Sequence, residues 1–313
     1  MEGKVPSGIL VIDKPRGPTS HDVVARVRRA LEVRAVGHAG TLDPMATGVL
    51  VVAVGEATKL VSWLTAQDKA YEASIALGVE TDTLDADGRE VRHAAPSDEL
   101  RDALARSRGS EVAPMLRAAF EKELSRPSQV PPAYSAIKTR GERGFARARR
   151  GEATPLAPRE VRLQRIELAT CCADPPWLSV AIETSKGYYV RALARDLAEA
   201  LGTVGHLTSL RRTRSGSFLV EEAIAFDSPP DEMRARIEPL VQGAARVLPV
   251  ARLSEAGAVD AKHGRRVSPL DIEAPTQGPC AWLDPRGELA AIGEIDDDGH
   301  GTVLRGFGGE STR

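Results

Sequence analysis

The sequence predicts an α+β protein in which a mixed or antiparallel sheet builds the larger domain and a small β domain follows at the C-terminus. Three observations carry this expectation. Apolar runs of strand length interleave with stretches of helical period, without the regular strand–helix alternation of a doubly wound parallel sheet. A stretch at residues 37–48 (GHAGTLDPMATG) breaks all periodicity between two such regions. From about Val247 the chain turns Gly-rich with short strand signals. The expected division is therefore residues 1–245 and residues 246–313.

Each element follows from local pattern. Residues 8–13 (GILVID) read as a buried strand, and Thr19 or Ser20 can cap a helix that carries Val23, Val24, Val27 and Leu31 on one face. Residues 49–54 (VLVVAV) resume as a buried strand after the Gly-rich loop. A loop anchored between two strands is held firmly and suits catalytic side chains. Residues 57–64 read as helix, residues 71–77 (YEASIAL) alternate like a strand, and residues 81–88 (TDTLDADG) form a turn rich in oxygen side chains. Ser97 caps a helix running to about Arg106, and a second helix is predicted over 114–124. Residues 128–138 (SQVPPAYSAIK) are extended, because a residue before proline is pushed out of the α region. Strands are predicted at 161–168 and 178–184, an amphipathic helix at 190–201, a helical connector after Pro229 and Pro230, and strands at 280–283 and 290–295.

Composition narrows the function classes. With 313 residues and 42% hydrophobic content the chain can bury a substantial core. It has no apolar run of about 18 residues and no secretory pattern at its start, so the expected location is the cytoplasm, away from membranes. Cys171, Cys172 and Cys280 imply no disulfide framework and read as reduced, packed thiols. The net charge of −2 does not favour nucleic acid, but the cations are clustered. From Lys138 to Arg165 nine basic residues face three acidic ones, and Arg211, Arg212 and Arg214 form a second group. Such local concentrations are where an RNA backbone would be met. No metal-ligand spacing of His or Cys and no Gly-rich phosphate loop occurs, so neither metal nor cofactor is expected.

The fourteen residues Gly37-His38-Ala39-Gly40-Thr41-Leu42-Asp43-Pro44-Met45-Ala46-Thr47-Gly48-Val49-Leu50 closely resemble the catalytic motif of the TruB family of pseudouridine synthases. The resemblance continues in order through GILVIDKP, GEATK, TDTLDADG, QVPPAYSAIK, SKGYYVRALARDL and HLTSLRR, over roughly the first two thirds of the chain. It implies isomerisation of uridine 55 in the T loop of tRNA to pseudouridine. The bond from ribose C1′ to uracil N1 is cleaved, the base rotates, and C1′ rejoins through C5. A carboxylate suits this chemistry, since an aspartate, with a reference pKa of about 3.9, is ionised at neutral pH and can attack or accept a proton.

By the same resemblance Asp43 is the catalytic carboxylate, Arg191 pairs with it, and Tyr71 stacks on the target base. Tyr189 contacts the uracil, Leu210 lines the pocket, and His38 meets nucleotides displaced when the base is flipped out. Lys14, Lys138, Arg147 and Arg211 are expected on the RNA backbone, where cations fix register without reading sequence. Residues 94–160 read as an RNA-gripping insertion, with two helical stretches at 94–126 where one is typical. Phe145 stands where tyrosine is common and Tyr188 where threonine is common, neither touching the catalytic set. The C-terminal stretch weakly resembles a PUA-like RNA-binding domain. The expected protein is a stand-alone monomer with tRNA as partner, without guide RNA or cofactor. A noncatalytic tRNA-binding protein or tRNA folding chaperone of the same fold is the alternative.

Overall fold

The computed structural model describes residues 7–134, 156–273 and 277–308, with the backbone of the short strands Lys138–Thr139 and Glu142–Arg143. Its main sheet runs in the order Leu163–Ala173, Pro176–Thr184, Lys69–Leu77, Gly205–Ser215, Thr47–Val54, Gly8–Lys14 and Ile224–Ala225. Three short strands, Val36–His38, Phe218–Leu219 and Glu238–Pro239, pair off this path. Gly205–Ser215 lies parallel to Thr47–Val54, and Gly8–Lys14 parallel to Ile224–Ala225. The other neighbours on the path are antiparallel, so the sheet is mixed, as the sequence predicts.

Alternation along the strands sorts side chains between two cores. Val49, Val51 and Ala53 point to one side with Ile9 and Val11, while Leu50, Val52 and Val54 point to the other with Leu10 and Ile12. That second side is closed by the helix Ser20–Leu31, which buries Val23, Val24, Val27 and Leu31. Thr19 caps it by accepting from the Asp22 amide, and Asp22 returns the bond to the Thr19 amide. Burying a side chain of this kind stabilises the fold by roughly 1.5–3 kcal/mol, so the uninterrupted apolar run of Thr47–Val54 fixes the strand next to the Gly-rich loop. A third core joins Tyr71, Ala73 and Ile75 to Leu193 and Leu197 of the helix Val190–Ala200, and to Leu100, Leu116 and Phe120 of the two helices Asp98–Arg106 and Pro114–Leu124.

A separate five-stranded sheet follows, ordered Ile272–Glu273, Val250–Leu253, Cys280–Leu283, Leu289–Ile295 and Gly301–Gly306. Its fully buried Trp282 explains two of the glycines: a Cβ on Gly293 would sit 2.1 Å from the indole, and one on Gly301 would sit 2.6 Å from it. This sheet shares a core with the first. Ala281, Leu283, Ile292 and Phe307 belong to the same buried cluster as Ile9, Val11 and Val51. Across the seam Lys59 donates to the Gly306 carbonyl at 3.1 Å and lies 5.3 Å from the centre of the Phe307 ring.

Two local expectations need correction, and two elements were not predicted at all. Gly37 and His38 belong to a short strand, Val36–His38, which pairs with Thr47–Val54, so the irregular loop is 39–46. The helical stretch predicted at 57–64 is a 3-10 turn, Gly55–Leu60, followed by the α-helix Val61–Thr65. Gly205–Ser215 is a strand that the arginine-rich sequence disguises, because Arg212 in its middle is only 1% exposed. The helix Glu255–Lys262, made of short side chains, carries little apolar periodicity to read.

Candidate active site

The loop 39–46 is held by its own carbonyls. Lys14 donates its ammonium to the carbonyls of Ala46 (2.7 Å), Pro15 (2.9 Å) and Pro44 (3.3 Å). Arg212 ties the start of the loop to the strand that follows it, donating Nη2 to Gly40 O at 3.1 Å and Nε to Val49 O at 2.7 Å. Ser20 Oγ accepts from the Leu42 amide at 2.9 Å and lies 3.1 Å from the Leu42 carbonyl. Gly48, at φ +98°, lies so close to the neighbouring strand that a Cβ would stand 2.2 Å from the Arg212 carbonyl oxygen. The backbone around Asp43 thus has little freedom left.

Arg191, in the first turn of the helix Val190–Ala200, faces this loop. Its Nε lies 2.9 Å from Asp43 Oδ2 and its Nη2 3.2 Å from Oδ1, the two-point geometry that a planar guanidinium imposes. The Arg191 side chain is 8% exposed, whereas Asp43 at 35% stays open to solvent. The guanidinium is braced further by Thr83 O (2.9 Å), Tyr134 O (2.9 Å) and Asp85 Oδ2 (3.5 Å). Burial pushes the Asp85 carboxyl above its ordinary range, opposed by the Thr83 hydroxyl, by Arg191 and by the Asp87 amide.

Beside the ion pair lies a cavity of about 980 Å³, with Asp43, Tyr71, Tyr189, Arg191 and Leu210 in its wall. Tyr71 and Leu210 are nearly buried, set in the third core. The Tyr189 phenol is pushed up, mainly by burial. Lys69, Arg159, Lys186 and Arg212 also line this space, which makes its surroundings cationic. Burial, with a contribution from Arg212, lowers Lys69 to about 8. An anionic oxygen, a fixed cation and two aromatic rings around one space can hold a planar base and attack, or deprotonate, the sugar attached to it.

The remaining predicted residues lie elsewhere. Lys14 is completely buried under the loop and cannot reach an RNA backbone without unfolding it, so that expectation is corrected to a structural role. Burial lowers its ammonium to about 8, with Asp43 as the main opposing influence. His38 is not in the wall of this cavity. Its ring meets that of exposed His21 edge-on at 5.4 Å, and burial, then His21 and Arg212, lower it to about 4. Arg211 is half-exposed and bound to Asp13 at 2.7 Å. The side chains of Lys138 and Arg147, and Phe145, lie outside the described residues, as does most of the basic run. Tyr188 also lines the cavity, and its buried hydroxyl has no hydrogen-bond partner among the described residues. Sequence reasoning missed Asp85, although it stands inside the TDTLDADG turn singled out for its oxygens.

Comparison with known proteins gives the family. A model of the TruB family pseudouridylate synthase N-terminal domain matches residues 28–190, and a model of the tRNA pseudouridylate synthase B C-terminal domain matches residues 191–233. The chain belongs to the TruB family.

Among TruB relatives, tRNA pseudouridine synthase B of Thermobifida fusca (strain YX) is 42% identical over 293 residues, covering 92% of this chain and 94% of that protein. The protein of the same name from Nocardia farcinica (strain IFM 10152) is 44% identical over 299 residues, covering 95% and 88%. Among solved structures, a chain of a Cbf5-Nop10-Gar1 complex superposes with TM-score 0.70 at 24% identity, covering 96% of this chain and 84% of its own. A chain of an H/ACA RNP bound to a substrate RNA containing 2′-deoxyuridine gives 0.68 at 22%, covering 97% and 86%. At those identities the likeness establishes a shared fold. Among the described residues no group of His, Cys, Asp or Glu has the arrangement of a metal site, and no helix is long and apolar enough to cross a membrane.

Proposed function

We propose that this chain is a tRNA pseudouridine synthase that isomerises uridine 55 of the T loop, with Asp43 as the catalytic carboxylate. One observation carries the reading: Asp43 is joined at two points to a buried arginine in the wall of a cavity flanked by Tyr71 and Tyr189. The names of its relatives give the substrate class, tRNA. In this reading the uridine leaves the folded loop and enters the cavity, at an expense of a few kcal/mol that stacking on Tyr71 and contact with Tyr189 offset. Asp43 assists cleavage of the C1′–N1 bond, the detached uracil turns while Leu210 and the rings confine it, and C5 takes the place of N1 at C1′. Arg191 keeps the carboxylate at one angle throughout. The cations Arg159 and Lys186 at the cavity, together with Lys138, Arg147 and Arg211, meet the phosphates. The C-terminal sheet adds a PUA-like RNA surface, and the protein acts as a cytoplasmic monomer, without guide RNA or cofactor.

The test is Asp43→Asn. The variant is expected to bind tRNA within about tenfold of wild type and to form no pseudouridine, since the amide keeps the shape of the carboxylate without its charge. Turnover at the wild-type rate would leave the alternative, a noncatalytic tRNA-binding protein or folding chaperone, as the better account.

A further inference from the structure

The segment 126–134 connects the helix Pro114–Leu124 to the basic run and is tied four times to one short stretch of the catalytic helix and its approach. Arg126 Nε lies 3.7 Å from Asp196 Oδ2. Gln129 Oε1 accepts from the Tyr189 amide at 3.1 Å. Val130 O accepts from Arg195 Nη2 at 3.2 Å, and Tyr134 O accepts from Arg191 Nη2 at 2.9 Å. All four partners fall within residues 189–196, the stretch that carries both Tyr189 and Arg191. The segment is anchored at its root, where Arg126 donates Nε and Nη2 to the two carboxylate oxygens of Glu123 at 2.9 and 2.8 Å, and Glu123 is fully buried. On its other side Gln129 pairs in a short strand with Arg159, the described end of the basic run.

Gln129 is the tie nearest the chemistry. It is 1% exposed, is not in the wall of the cavity, and its Nε2 has no partner among the described residues. Its oxygen is therefore the half of the carboxamide in use. The helix Val190–Ala200 has no side-chain cap of its own at Tyr189, so the backbone that enters it is steadied from outside.

We propose that the 126–134 segment positions the Tyr189–Arg191 backbone for the reaction, with Gln129 as its principal tie and a positioning residue. Gln129 sets the angle at which Arg191 presents its guanidinium to Asp43, and the second inserted helix, through Glu123 and Arg126, serves the active site as a brace. This rests on the reading of the Asp43–Arg191 cavity as catalytic.

The experiment compares Gln129→Met, which fills similar space without an acceptor, and Gln129→Glu, which keeps the acceptor. Gln129→Met is expected to lower kcat by about tenfold or more with KM for tRNA within about threefold, because small misplacements of aligned groups cost rate rather than binding. It should also speed hydrogen exchange of the Tyr189 amide. Gln129→Glu should keep kcat within about threefold of wild type. A Met variant with unchanged kcat, a loss confined to KM, or a Glu variant as slow as the Met variant overturns the proposal. Where Gln129→Met does not fold, Arg195→Met cuts the neighbouring tie from the solvent side, and an unchanged kcat there has the same force. Wild type is assayed alongside. Absence of pseudouridine in that control tells against the assigned reaction, whereas Tyr189 exchange still decides whether Gln129 fixes this backbone.

Discussion

Arg191 grips both carboxylate oxygens of Asp43 while Thr83 and Tyr134 supply carbonyls to the same guanidinium at 2.9 Å each. The arginine is thus located by the protein before it meets the carboxylate, and it cannot follow Asp43 if the aspartate moves. The pair is a fixed abutment, with the open side of Asp43 left for a substrate.

A lysine at this position cannot reproduce that geometry. Arg191→Lys keeps the charge but offers one ammonium in place of a planar fork, and it leaves the carbonyls of Thr83 and Tyr134 short of donors. Single-turnover pseudouridine formation is expected to slow by about a hundredfold or more. A loss of less than about threefold would mean that charge alone suffices.

Asp85 separates stability from activity. Burial raises its carboxyl, so the ionised form is disfavoured in the fold. Its contribution to stability is complete below the ordinary carboxylate range and declines as pH rises out of that range. Asp85→Asn keeps an acceptor for Thr83 and the Asp87 amide and removes the charge. Its thermal midpoint at pH 7 should be no lower than that of wild type, while kcat falls by about tenfold or more as Arg191 loses a brace. A large drop in midpoint with normal kcat would contradict this.

His38 should shape the acid limb of stability. In the fold it takes up a proton only near pH 4, against an ordinary value of 6.5. As pH falls from 6.5 to 4 the unfolded chain is protonated first, so stability present above 6.5 is progressively lost. Melting curves of His38→Gln over the same window should decline less steeply than those of wild type. Parallel curves would show that the ring titrates freely.

Two glycines next to the loop 39–46 should respond very differently to a methyl group. A Cβ added to Gly17, at φ +109°, would meet nothing within 4 Å, so Gly17→Ala should cost only backbone strain, about 1–2 kcal/mol. Gly48→Ala adds a collision with the Arg212 backbone to the same strain and should cost about 3 kcal/mol or more. Denaturant titration of both variants decides it, and equal losses would mean that the strands can part without penalty.

Much of the architecture was legible because hydrophobic period and capping agree. The helix Ser20–Leu31 buries the four residues its pattern put on one face, and Ser97 caps the helix Asp98–Arg106. What escaped were places where charge is buried. Gly205–Ser215 alternates only between two irregularities in its pairing, at 207–209 and 212–214, and Arg212 occupies an inward position bonded to carbonyls, which no hydropathy reading registers. Lys14 misled for the same reason: a lysine beside a functional loop suggests phosphate, whereas its ammonium is spent on Pro44 and Ala46. Motif resemblance named five residues that the fold gathers around one space, Asp43, Tyr71, Tyr189, Arg191 and Leu210. It did not disclose Asp85 or Gln129, whose parts depend on distances across the fold.

The core that Phe307 and Ile292 share with Ile9 and Val51 makes the molecule a gauge. With its apolar face fused to the main sheet, the C-terminal sheet cannot swing freely, so any RNA that touches both it and the cavity beside Asp43 must bring the right span ready-made. On the proposed function, an arm one base pair too long would turn as well as advance along its helix and is expected to be the poorer substrate.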